Sequence, residues 1–413
     1  MMCNMENEQQ IIVIGGGAAG LAAAIAAAYK ARLVGSAVHV RILERDDRVG
    51  RSILVTGNGR CNFTNAHIDA DVYHNAAFVR TALDELDEIV PWRAQTHHHS
   101  VCAFFEALGL AWREEAEGRR YPVTGKASTV LSVLRRAAQS LGVEECCNAQ
   151  VCSIDPPRAG SDHFTLRMKD GSFERAGVVI LACGASAAQS LAEQLEFVPQ
   201  TPVLGPLKTN TEHIRSLDNI RVRCALSMQR NGEAIAHEQG ELLFRKYGVS
   251  GIAVFNLSRF ACTGDQLVID FVPHYENAFS LLSERVRTLE ALFDRTPTLE
   301  ETLGGLVLPL LAEELIKRAG LQGSSLASKQ ALRTLAGLLK QFSLEVQGIG
   351  DVKQCQVSRG GFAVAQIDAR TQEVKGIPHL YIVGEAQDVD APCGGYNLHW
   401  AWASGLLAGL HSL

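Results

Sequence analysis

The chain has 413 residues, 47% of them hydrophobic, with 39 Lys or Arg against 45 Asp or Glu for a net charge of −6. Such a length allows two or three domains around a sizeable core, and the charge balance supplies no overall field for nucleic acid or an anionic membrane. The 11 cysteines are scattered and odd in number, which points to a reducing compartment and excludes a simple disulfide framework.

Residues 11–14 read as a buried parallel strand, running into Gly15, Gly17 and Gly20 with GxGxxG spacing and then into an alanine-rich helix at 21–29. Such glycines let the backbone turn sharply and approach a pyrophosphate, whose charge sits at the helix N-terminus; Ala18 and Ala19 are the small residues between them. A second strand, 38–43, ends in Glu44, 24 residues beyond Gly20, where a carboxylate would accept hydrogen bonds from an adenosine ribose. Arg45 and Arg51 count with it among the candidate cofactor contacts. The apolar run 11–28 reads as neither signal peptide nor membrane span, because Glu6 and Glu8 precede it and three consecutive glycines interrupt it. A cytoplasmic location is expected.

Residues 50–65, GRSILVTGNGRCNFTN, are too polar and glycine-rich for a core element and read as a loop that wraps a ligand. Gly57 and Gly59 would bring main-chain N–H groups near phosphate or flavin, Arg60 would supply charge, and Asn62 and Asn65 would orient polar edges, with Cys61 among them. Helical periodicity follows at 76–90 and 101–110. Between them Pro91 and the run His97, His98, His99 read as a solvated loop, since adjacent histidines diverge and no spaced partner completes a metal site. Pro122 and Gly125 mark a turn before a helix at 129–136. Cys147 and Cys152 form a C-x4-C pair entering a strand at 150–154, which suits structural cysteines better than a redox pair.

A hairpin and buried strand over 164–168 and 173–183 return the chain to the nucleotide-binding sheet, and Gly184 ends that strand where backbone approaches the cofactor. Three prolines and a glycine within 199–206 mark a domain crossing. Beyond it, strands are expected at 222–228, 241–244, 252–257 and 266–272, and helices at 278–293, 305–319 and 328–342. The chain returns through 357–361 and 380–385, and Gly394-Gly395-Tyr396-Asn397 lead into a final helix, 398–410. That helix N-terminus, aimed at a flavin pyrimidine edge, would favour negative charge on the reduced ring by about 0.3–2 kcal/mol.

TGNGRCNFTN at 56–65, GELLFRKYGVSG at 240–251 and GEAQDVDAPCGGYNLHWAWASG at 384–405 together resemble the BaiN/RdsA family of NAD(P)/FAD-dependent oxidoreductases, which includes aminoacetone oxidase-like flavoproteins. The resemblance spans nearly the whole chain; departures are Ser52, Cys393, the shortened ACGAS at 182–186, and Arg245 and Lys246 after Phe244. It implies an α/β, Rossmann-like two-dinucleotide-binding FAD domain, formed by 1–203 and 346–413, with an inserted α+β domain at 204–345 that covers the flavin and shapes the substrate cleft. Gly384, Glu385 and Asp388 resemble the late FAD fingerprint of two-dinucleotide-fold flavoproteins. The resemblance also implies FAD as cofactor, NAD(P)H as transient hydride donor, and a small-molecule acceptor such as a steroid or bile-acid-like conjugated enone. Tyr396 or Tyr247 would then donate a proton and Lys246 or Arg60 polarise an oxygen. Another branch implies oxidation of small amines such as aminoacetone, and a third reading is a non-catalytic flavin-binding interaction protein. Neither a nucleic-acid nor a membrane partner is expected, and the sequence leaves the oligomeric state open.

Overall fold

Ile11, Ile12, Val13 and Ile14 are β-branched and almost fully enclosed, as a strand covered on both faces requires. They belong to Gln9–Ile14, the centre of a five-stranded parallel sheet in the order Leu380–Ile382, Val178–Leu181, Gln9–Ile14, Val38–Leu43, Glu144–Cys146. Its register sets Ile12 beside Val179 on one side and Arg41 on the other. The structure is a computed structural model describing residues 9–92, 98–157 and 162–413; His97 lies outside these. It divides into one unit reaching Thr201 and resuming at Ser358, and a second unit, Pro202–Val357.

In the first unit, helix Ala18–Val34 follows the central strand and is buried on nearly every side from Ala19 to Ala28. Helix Tyr396–His411 lies against it, backbone to backbone: a Cβ on Gly405 would overlap the carbonyl oxygen of Ala19, and one on Gly409 that of Ala23. Aromatic residues fill the other side of this C-terminal helix. Phe105 meets Trp402 edge-on at 5.1 Å between centroids and Phe63 at 4.9 Å.

Phe63 corrects the expectation of a plain wrapping loop at 50–65. The segment forms a short helix, Arg51–Val55, and a 3-10 turn, Thr56–Gly59, before Thr64–Asn65 joins a three-stranded antiparallel sheet with Arg119–Pro122 and Trp112–Glu114. Cys61 and Phe63 are fully buried, and the Phe63 carbonyl accepts a 3.0 Å hydrogen bond from Trp402 Nε1. Two apolar side chains among polar neighbours thus pin the segment into the core. A second three-stranded sheet, Val151–Asp155, Phe164–Met168 and Phe173–Ala176, carries Cys152. Among the described residues no helix is long and apolar enough to cross a membrane.

The second unit is a closed six-stranded antiparallel barrel in the order Leu207–Thr209, Gly248–Ser250, Glu233–Arg245, Arg221–Arg230, Gln266–Asp270, Phe342–Ile349. The last strand closes it by pairing with both Gln266–Asp270 and Leu207–Thr209, so the unit continues past the expected boundary at 345. Residues 252–257 form a helix, Ile252–Ser258, where a strand was expected; Ala253, Val254 and Leu257 are buried at helical spacing. The helix expected from 305 starts later, as Pro309–Arg318, with proline in its first turn. Helix Leu299–Leu303 opens on a capping box in which Thr298 and Glu301 satisfy each other's backbone N–H groups.

The close helix pair of the first unit yields a contrast between two glycines. Gly405→Ala is expected to lower stability by about 1–3 kcal/mol through overpacking. Gly337→Ala, inside helix Lys329–Lys340 with no atom near its added methyl, is expected to raise the stability of its own unit by about 0.5–1 kcal/mol. Urea denaturation followed by circular dichroism measures both.

Candidate functional site

The turn after the central strand is built by mutual exclusion of side chains. Gly15 has φ +101°, and a Cβ there would lie 2.7 Å from the Ala182 carbonyl oxygen. A Cβ on Gly16 would press into Val49 Cγ1 at 2.5 Å, and one on Gly20 would overlap the Gly15 carbonyl oxygen. Gly17 differs, for its Cβ would meet nothing nearer than Ser52 Oγ at 3.4 Å. Protein packing thus demands glycine at three positions of the turn and leaves room at the fourth. Gly17 is also the N-cap of helix Ala18–Val34 and no side chain caps that end, which leaves its first N–H groups without a side-chain partner, as an anion site requires.

Glu44 stands at the end of its strand as expected. Its Oε2 accepts from Gly16 N at 2.8 Å and its Oε1 from Asp46 N at 2.9 Å. The carboxylate therefore braces the turn first, and each oxygen retains a lone pair for a ribose hydroxyl. Arg45 and Arg51 are exposed and lean on Asp46. Gly184 caps the short helix Ala185–Gln189 beside Cys183, whose thiol is pushed up to about 12 by burial.

A second group of residues comes together where the two ends of the unit meet. Gly57 and Asn58 adopt left-handed geometry within the 3-10 turn, and Gly59 continues it at φ +79°. A Cβ on Gly395 would lie 2.5 Å from the Thr64 carbonyl oxygen and 2.9 Å from Asn62 Oδ1. Asn65 Nδ2 donates to the Gly394 carbonyl at 2.9 Å. Gly395 is the N-cap of the C-terminal helix, again without a side-chain cap. Asn62 Oδ1 is buried without a hydrogen-bond partner among the described residues, beside this open helix end. An orphaned acceptor is costly unless a donor meets it.

Several expected contacts are instead engaged within the protein. Arg60 lies 4.0 Å over the Tyr121 ring and donates to Glu115 at 2.5 Å. Cys61 is inert, its thiol pushed up to about 12 by burial. Asn397 pairs with both peptide groups of Ala391, at 2.9 and 2.8 Å. Gly384 packs on Ala19 and donates its N–H to Ser404 Oγ at 2.9 Å, while Glu385 is exposed and accepts from Ser358 N. Asp388 accepts from Gly360 N at 3.0 Å and pairs with His74 at 3.3 Å; burial works against its charge, but the His74 contacts prevail and hold its carboxyl below the usual range. Tyr396 is half-buried, its carbonyl accepts from Tyr73 OH at 2.9 Å, and burial raises its phenol.

Tyr247 and Lys246 belong to the second unit, in the turn between strands Glu233–Arg245 and Gly248–Ser250. The Tyr247 ring packs at Gly350, and Lys246 N donates to Asp218 Oδ1 at 3.1 Å.

Sequence reading missed a buried polar cluster behind Thr64. Thr64 Oγ1 and His399 Nδ1 are 2.8 Å apart, the rings of His399 and His99 meet edge-on at 4.9 Å, and Arg120 NH1 lies 3.3 Å from His99 Nε2 and 2.9 Å from Cys102 Sγ. His99 was expected in a solvated loop. It caps helix Ser100–Ala107 by accepting from Cys102 N, and burial together with Arg120 pushes its pKa down to about 4. A histidine one residue before a helix was the available signal; nothing local announced His399, 335 residues from Thr64. Arg359 and Asp390, also missed, form a two-point pair at 2.6 and 3.0 Å.

The room at Gly17, two uncapped helix N-termini and the orphaned Asn62 acceptor fit an extended dinucleotide with a hydrogen-bonding ring edge. Comparison with known proteins agrees. The family model of the HI0933-like protein Rossmann domain matches residues 9–411. A 3-dehydro-bile acid delta(4,6)-reductase of Clostridium scindens is 32% identical over 97% of this chain and 98% of its own. A ribosomal RNA dihydrouridine synthase of Escherichia coli is 26% identical over 95% of each. Among solved structures, 3-ketosteroid-delta4-(5alpha)-dehydrogenase of Rhodococcus jostii RHA1 is 14% identical, with a TM-score of 0.46 over 99% of this chain and 98% of that one.

Gly17→Val is expected to abolish flavin retention while leaving the melting of the flavin-free protein nearly unchanged, since the added Cβ meets only Ser52 Oγ, at an ordinary 3.4 Å; flavin absorbance and circular dichroism check the two halves. A second expectation concerns pH. Because His99 titrates near 4 in the fold, against 6.5 for an unperturbed histidine, the unfolded chain binds more protons between these values. Stability contributed here is present above about pH 6.5 and is lost as pH falls towards 4. Denaturation midpoints at pH 7 and 4.5 should fall further for the native protein than for His99→Gln.

Proposed function

Because the chain belongs to the HI0933-like family of FAD-dependent Rossmann oxidoreductases, the BaiN/RdsA family, we propose that it takes hydride from NAD(P)H and saturates a C=C bond conjugated to a carbonyl in a small organic acceptor. The observation that carries this reading is the paired opening at Gly17 and at Asn62–Gly395, which fits FAD, joined to the bile acid delta(4,6)-reductase at 32% identity. FAD, when bound, supplies the two-electron hydride chemistry.

The first helix N-terminus and Gly17 would hold the pyrophosphate, Glu44 a ribose hydroxyl, and Asn62 with the Gly395 turn the polar edge of the ring. The C-terminal helix N-terminus would favour negative charge there. As the β-carbon of the acceptor receives hydride, its α-carbon needs a proton. Tyr396 suits that role, since its half-buried ring lies against Gly394 beside the Gly395 turn and its phenol carries its proton at neutral pH, whereas Arg60 is held by Glu115 and Tyr121.

A second acceptor is favoured by the relative named for dihydrouridine synthesis, since the uracil C=C bond is also conjugated to a carbonyl. The same chemistry would then act on a nucleobase.

Anaerobic stopped-flow absorbance at the flavin band tests the reading. NADH or NADPH should bleach the band rapidly, air should restore it slowly, and a conjugated enone should restore it fast. Tyr396→Phe should slow the enone step by about 10²–10⁴-fold with bleaching by the nucleotide unchanged. Restoration by uridine-containing RNA and not by enones would favour the second acceptor. Bleaching by small amines alone, with fast return in air, would replace the reductase by an oxidase.

A further inference from the structure

Helix Ala76–Ile89 presents Arg80, Leu83, Asp84 and Asp87 at i, i+3, i+4 and i+7, hence on one face. That face forms one wall of a cavity of about 280 Å³, closed by the segment around Asp69, by the start of helix Ser100–Ala107 and by His399. A cavity at the lower bound of ordinary ligand sites suits a compact molecule.

Its chemistry is one-sided. Among the described residues Asp69, Asp84 and Asp87 line it, and the lining cation, Arg80, is paired with Asp71. Asp87 already accepts from Ser100 Oγ at 2.5 Å and Asp69 Oδ1 from Asp71 N at 2.9 Å, while the carboxylates of Asp69 and Asp84 stand exposed at the mouth. Excess negative charge at the mouth repels anions and attracts a cation. The described residues hold no cluster of His, Cys, Asp and Glu suited to a metal ion, and the apolar lining by Leu83, Leu86 and Val101 suits a cation with a hydrocarbon body.

The inner wall supplies an independent sign. His399 is 2% exposed, its Nδ1 is taken up by Thr64, and its Nε2 has no hydrogen-bond partner among the described residues. In the tautomer that carries its proton on Nδ1, donated to Thr64 Oγ1, that nitrogen presents a lone pair. Burial beside His99 and Arg120 keeps the ring neutral, so it accepts from a donor without repelling it. Leu83, Leu86 and Val101 add an apolar surface next to it.

We propose that this cavity binds a small organic ammonium ion, its N–H groups directed to His399 Nε2 and to the carboxylates of Asp69 and Asp84, its hydrocarbon body against Leu83, Leu86 and Val101. The site is built from the lining residues and is independent of the reductase reading; it stands or falls without it.

Isothermal titration of the flavin-loaded protein with cyclohexylammonium and, separately, with cyclohexanol tests this. Saturable binding of the ammonium is expected, with the alcohol weaker by roughly tenfold or more, the worth of one charge-assisted hydrogen bond. Asp69→Asn with Asp84→Asn, both at exposed positions, should weaken the ammonium by roughly tenfold, and Leu83→Trp should abolish binding by filling the cavity. Absence of saturable binding, equal binding of the alcohol, or full affinity in either variant would overturn the proposal. Unchanged flavin absorbance and melting in the variants distinguish loss of the site from loss of the fold.

Discussion

The first unit depends on one steric constraint: helix Ala18–Val34 must lie close both to the turn that starts it and to the last helix of the chain. Gly20 permits the first contact and Gly405 with Gly409 the second, since any Cβ at these positions would overlap a carbonyl oxygen. Burial of the alanine run between them leaves little void for the solvent to fill. The consequence is positional. The same packing that stabilises the core fixes the N-termini of both helices, and those are the two ends left uncapped for a ligand.

Around these ends the polar groups divide by whether the protein satisfies them. Glu44, Asp388, Asn397 and Arg60 are held by backbone N–H groups, by His74, by the Ala391 peptides and by Glu115. They set geometry and cost little when the cofactor is absent. Asn62 Oδ1 is left open and the helix ends at Gly17 and Gly395 lack a side-chain cap, and an open buried polar group gains most from a bound partner. On the proposed reading, complementarity to FAD resides in few contacts, on a frame braced by many. The buried pair His99 and His399 follows the opposite rule, staying uncharged because the site is desolvated and already holds the Arg120 guanidinium.

Much of this was legible locally. A strand of β-branched residues, a glycine turn, an alanine helix and an acid at the next strand end occur within 44 residues, and each is a short-range pattern. The capping box at Thr298 and Glu301 is of the same kind. What local pattern misjudged was burial. The segment 50–65 is polar by count, yet Phe63 and Cys61 pass through the core, and His99 leaves a polar run to lie against His399. Residues 252–257 had an apolar run that suits strand or helix equally, and burial of one helical face decided it.

The sequence by itself determined the nucleotide-binding order of elements and the family, because both rest on residue types at fixed short spacings. Only the tertiary structure decided which glycine was free of packing, which carboxylates were already engaged, that the second unit closes as a barrel through Phe342–Ile349, and that Thr64 meets His399. These are contacts between segments hundreds of residues apart in places, and the free energy that selects them is burial and hydrogen-bond satisfaction summed over the whole core, which no local window contains.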